Sequence, residues 1–166
     1  MHRLAVAALL LVGCRISLET NDLGDDATSR QCIVSTTSQP CMDAAMHSDF
    51  AWIEQKVFAA SCDFSGCHSS ANDAGKLDLR PGMSHAHLVG VSSMIDRTRQ
   101  LVVPNDVEAS YLMLMLRDVP PAMASPPGTP PPGNVGYMPQ GPVSAALCCQ
   151  KLDAIERWIE SGAPNN

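Results

Sequence analysis

The chain has 166 residues, a formal net charge of −6 and only 4% aromatic side chains. That length suits one domain with a tail, and the acidic balance argues against nucleic acid as a partner and for a basic surface on any protein that docks with the chain. With so few aromatic side chains the core lacks its usual large fillers, so covalent staples or a bound apolar group would contribute much to stability.

Arg3, an apolar run from Leu4 to Val12 and then Gly13-Cys14 have the form of an export signal over residues 1–13, too short to span a bilayer. The end of that run, Leu11-Val12-Gly13-Cys14, resembles a bacterial lipobox, which implies acylation of Cys14 and anchoring in a lipid membrane. The alternative is an ordinary secretory signal in which Cys14 has no such role. Both put the rest of the chain outside the cytoplasm, on the periplasmic side of a bacterial membrane or at the cell surface. Residues 14–47 are polar and poor in large apolar side chains, so they read as a mostly irregular tether, part of which Cys32 and Cys41 could pin down.

From Ser48 onward the pattern becomes helical. Ser48-Asp49 is a cap candidate, and Phe50, Ile53, Val57 and Ala60 follow at helical spacing, so a helix is expected to run directly into Cys62. A short helix near Ser84 to Val89 is expected among loops punctuated by Gly75, Pro81-Gly82 and Gly90. Asp106 should cap a further helix with Tyr111, Leu112, Met115 and Leu116 along one side and Met113 in the same apolar pattern. Between Pro120 and Pro142 stand nine of the chain's 13 prolines, which excludes helix and central strand there. A last helix is expected from Ser144, with Cys148, Leu152, Ile155 and Ile159 on one stripe, stopping at Gly162 with Pro164 beyond. The expectation is an all-α domain over residues 48–164.

The chemistry-bearing stretch is "SCDFSGCHSS", which sets Cys62, Cys67 and His68 within seven positions. Two thiols a turn apart can add to the two vinyl groups of haem, and the adjacent histidine can then reach the iron; Gly66 can take the positive φ that turns the loop back. The spacing is four residues rather than the two usual for haem attachment. A C-x4-C pair also lies within zinc spacings, with His68, or His85 and His87 in "SHAHL", as further ligands. Residues two apart on a helix do not share a face, however, and His85 and His87 read instead as a solvated helix start. A plain Cys62–Cys67 disulfide is easy in an oxidising compartment but leaves His68 without a role. No nucleophile-base pair, phosphate-cradling glycine loop or paired-carboxylate motif is present.

In order along the chain, "VFAASCDFSGCHSS", "GKLDLR", "HLVGVSS", "VVPNDVEASYLMLML", "GYMP" and "IERWIESGAPNN" resemble a bacterial c-type cytochrome domain with a lengthened Cys-Cys spacing, over roughly residues 48 to 164. The resemblance implies a small all-α electron carrier with one covalent haem c, held by Cys62 and Cys67 with His68 as proximal ligand. It also implies a distal methionine late in the chain before a proline: Met138-Pro139 occupies that place, with Met123 as the rival. His/Met ligation would favour one-electron transfer to redox protein partners.

If Cys14 carries lipid and Cys62 and Cys67 carry haem, four of the seven cysteines remain: Cys32, Cys41, Cys148 and Cys149. Neighbours within a helix diverge by about 100°, so Cys148 and Cys149 should not pair with each other. Cross-linking of Cys32 and Cys41 to Cys148 and Cys149 is expected, with a Cys32–Cys41 loop and two buried thiols as the alternative. The expected function is a membrane-anchored monohaem c-type cytochrome rather than an enzyme. Its rival is a disulfide-stapled, non-redox surface lipoprotein that acts as a binding module.

Overall fold

The computed structural model describes residues 32, 35–117, 119, 123–124, 127–128, 137–140 and 147–166. The expected signal peptide, Cys14 and the first part of the expected tether lie outside them, as does most of the proline-rich stretch. Among the described residues the fold is small and all-α: α1 (Gln39–Ala44), α2 (Phe50–Ile53), α3 (Ala59–Ser61), α4 (Ser84–Leu88), α5 (Tyr111–Leu116) and α6 (Cys149–Glu160), with no strand, only isolated bridge pairs such as Val89 with Val102. None of these helices is long and apolar enough to cross a membrane.

Helix α2 starts where the cap requires. The Asp49 carboxylate accepts from Trp52 N (2.9 Å), and the two preceding amides, of Phe50 and Ala51, donate to the side chain and main chain of Asn166 (2.9 and 2.8 Å). The orphan amides of the first turn are thus satisfied by one side chain and by the distant end of the chain. Helix α2 then runs into α3 through a π turn, Glu54–Phe58, in which Ala59 N donates to Glu54 O. The extra residue in that turn rotates the following side chains. Val57 and Phe58 are both buried and Ala60 is exposed, where a regular helix would have put Ala60 on the buried stripe.

Helix α5 departs from its expected start. Asp106 caps only a turn, accepting from Ala109 N (2.9 Å), and the buried Ser110 Oγ takes Val103 N (2.9 Å) and donates to Asp106 O (2.6 Å). The helix therefore begins at Tyr111, and all six of its side chains are buried rather than one side of it. It is covered on two sides: Leu112, Met113 and Leu116 face the main core with Phe50, Ile53, Ile155 and Trp158, while Tyr111, Leu114 and Met115 form a smaller cluster with Val119 and Ala124.

Helix α6 also starts later than its stripe implied. Cys148 is extended, so the helix begins at Cys149; the expected start at Ser144 lies outside the described residues. Its buried face, Leu152, Ala154, Ile155, Trp158 and Ile159, packs on α1 and α2. Arg157 reaches back to accepting carbonyls at Ala44 and His47 (both 2.8 Å) and so closes the end of α1. Residues 39–44, expected to be irregular tether, are therefore a helix docked on the domain. Two disulfides fix it there, Cys32–Cys149 and Cys41–Cys148, which is the cross-linked arrangement and not the Cys32–Cys41 loop. His85 likewise departs from its expected solvated setting. Its ring packs edge-on to Phe50 and its Nε2 meets Ala163 O (2.9 Å).

Candidate functional site

The loop after α3 is built on backbone bonds. Helix α3 ends at Cys62, whose N donates to Phe58 O (2.8 Å), and the chain then turns so that Cys67 N reaches Phe64 O (2.8 Å). Gly66 takes φ +80°, the left-handed conformation in which a side chain is strained. Two later amides clamp the result: Ala74 N donates to Cys67 O (2.9 Å) and Leu79 N to His68 O (2.8 Å). Below the clamp the buried Asp78 carboxylate binds the guanidinium of Arg80 (2.6 Å), which holds its pKa down to about 2.

This loop forms one wall of a cavity of about 250 Å³. Cys62, Cys67 and His68 line it. Much of the apolar lining comes from α5, through Tyr111, Leu112, Met115 and Leu116, and from Phe58. Met138 and Pro139 also line it, and Met138 N donates to Met115 O (3.0 Å), which ties that segment to α5. Cys62, Cys67, His68 and Met138 thus come from two stretches 70 positions apart and line a single space. Met123 does not join them. It is exposed and lines a different cavity, of about 470 Å³, with Arg117, Glu156 and Glu160. Among the described residues no cysteine or histidine lines that second cavity, and Arg117 there is already paired with Glu156 (2.6 Å). No protein-family model, curated protein or solved structure matches the chain. The site must therefore be judged on its own chemistry.

Three features bear on what it can hold. Cys62 and Cys67 are free thiols, whereas the other four described cysteines are paired. Burial pushes the Cys62 thiol up to about 12, opposed by the ammonium of Lys151, whose Nζ donates to Lys56 O (2.8 Å). Burial also lowers the pKa of His68. The main chain at Ala74 and Leu77 acts the other way, yet the buried Nδ1 has no hydrogen-bond partner. A neutral imidazole with an uncommitted buried nitrogen, beside two unpaired thiols and an apolar wall, fits a flat apolar group that forms two thioethers and accepts a nitrogen ligand.

The zinc set fits less well: among the described residues no three His, Cys, Asp or Glu side chains are grouped closely enough to hold one metal ion. Helix α6 does not line the cavity, whereas α5 does; α6 packs on α1 and α2 instead. Sequence reasoning missed several lining residues. Phe64 and Met94, both exposed, stand at the lip, and Tyr111 stands inside. Phe64 could have been found from its position between the two cysteines; Met94 had no local signal.

Proposed function

We propose that the chain is a monohaem c-type cytochrome, an electron carrier rather than an enzyme, exported and held at a membrane by acylated Cys14. Cys62 and Cys67 would hold the haem by thioethers, and His68 and Met138 would be its axial ligands. The observation that carries this reading is the convergence of those four side chains on one apolar cavity from segments far apart in sequence. The two disulfides support it by fitting an oxidising compartment, where the signal and lipobox would send the chain. When bound, the haem supplies a reversible one-electron change at iron, and His/Met ligation raises its potential.

The chain's own residues supply the rest. The backbone bonds to Cys67 O and His68 O fix the loop before any ligand is taken up, which lowers the ordering cost of binding. Leu112, Met115 and Leu116 keep water from that side and keep the local dielectric low. The tie between Met138 N and Met115 O fixes the distance of the proline-flanked segment from α5. Redox proteins with a basic docking face are the expected partners, given the net charge of −6.

The test is ligand replacement. Met138→Ala should keep covalent haem on the chain, lose the methionine-ligated low-spin signature in the optical and NMR spectra, and lower the midpoint potential. A variant that keeps the methionine-ligated spectrum would remove Met138 from the assignment. Met123→Ala should leave spectrum and potential unchanged.

A further inference from the structure

The two cysteines at the cavity are not equivalent. Cys67 is exposed, on a loop at the lip beside exposed Phe64 and Gly66. Cys62, half-buried, ends α3 and packs against the main core, to which Phe58 and Leu152 belong. A bulky planar group approaching from solvent therefore reaches Cys67 while still outside, but meets Cys62 only once it is in the cavity.

We propose that the cysteines react in a fixed order: Cys67 forms the first thioether at the mouth, and Cys62 forms the second from inside, on a group that Cys67 already tethers. This rests on the haem reading above. In each addition the thiol sulfur bonds to the vinyl carbon next to the ring and the thiol proton ends on the terminal vinyl carbon. One carbon–carbon double bond becomes single each time, and no oxidant or reductant is consumed. Tethering makes the second addition intramolecular, with the high effective concentration of a held reactant. Cys62 needs that help, since the thiolate is the nucleophile and burial makes it scarce there. Lys151, half-buried on α6 and anchored on Lys56 O, is the cation placed to favour it.

Two measurements test this order. In the haem-free full-length protein with its disulfides intact, iodoacetamide under native conditions should alkylate Cys67 at least 10-fold faster than Cys62, as read by peptide mass spectrometry. Equal rates, or faster labelling of Cys62, would overturn the proposal. With the native maturation machinery, Cys62→Ala should still carry haem through one thioether, whereas Cys67→Ala should carry at least 10-fold less covalent haem by intact mass. Equal loading of the two variants beside a normally loaded wild type defeats the order of attachment but leaves the cytochrome reading intact. A wild type without covalent haem in its own host defeats both.

Discussion

At the scale of single residues, stability is concentrated in a few polar side chains that complete backbone bonds. Asp49 satisfies Trp52 N at the start of α2, with its own pKa lowered chiefly by His47. Asp49→Ala should cost about 1 kcal/mol in a denaturant titration, the usual worth of a lost cap; no change would mean that Asn166 alone holds this helix end. Asp78 is the clearest pH-sensitive group. Its folded pKa is held down to about 2 by Arg80, against 3.8 in an unfolded chain. A depressed carboxylate pKa means that the unfolded state takes up protons first as the pH falls, so the stabilisation is complete above pH 3.8 and is lost down to about 2. Acid unfolding of Asp78→Asn should be flatter across that window than that of wild type; identical acid profiles would contradict the pairing.

At the scale of elements, the helices were legible wherever a periodic apolar stripe met a cap, as in α2 from Asp49 and the end of α6 at Gly162. What was not legible depended on competition between local and tertiary bonds. The π turn is invisible to a 3.6-residue period, and it moved burial from Ala60 to Phe58. Asp106 looked like a helix cap, but Ser110 Oγ took Val103 N and delayed α5 to Tyr111. Helix α1 lies in a stretch too polar to predict, and it is held by disulfides and by Arg157 rather than by its own apolar face.

The two disulfides enclose nearly the same segment, with sequence separations of 117 and 107. A first cross-link of such a loop stabilises by about 4–5 kcal/mol on the chain-entropy view, and a second over the same loop adds far less. Removing either pair by Cys→Ser should therefore cost less than half of what removing both costs; additive losses would show that each staple acts locally. Gly128 is a further element-scale test. A Cβ there would stand 2.7 Å from Arg99 Nε and 2.8 Å from Asp96 Oδ2. Both side chains are buried, and Arg99 is held by its bond to Glu108 O (3.3 Å). Gly128→Ala should destabilise the haem-free protein by roughly 1–3 kcal/mol, as overpacking does; wild-type stability would mean that the proline-rich segment yields freely.

At the scale of the whole molecule, the candidate site depends on a meeting that no local pattern encodes. The triplet of Cys62, Cys67 and His68 was readable as a unit from its spacing, but its distance from Met138 was not. Only the likeness to c-type cytochrome domains suggested that meeting, and it is α5 and the bond from Met138 N to Met115 O that bring the two stretches to one cavity. The identity of that wall was not readable either, since both α5 and α6 offer apolar side chains at helical spacing. The most direct test of the central claim is an absorption spectrum of the membrane-extracted protein from its native host, oxidised and reduced, with a denaturing gel stained for covalent haem. The account predicts a sharp reduced α-band and haem that stays with the denatured chain. A colourless protein with Cys62 and Cys67 joined in a disulfide would contradict it.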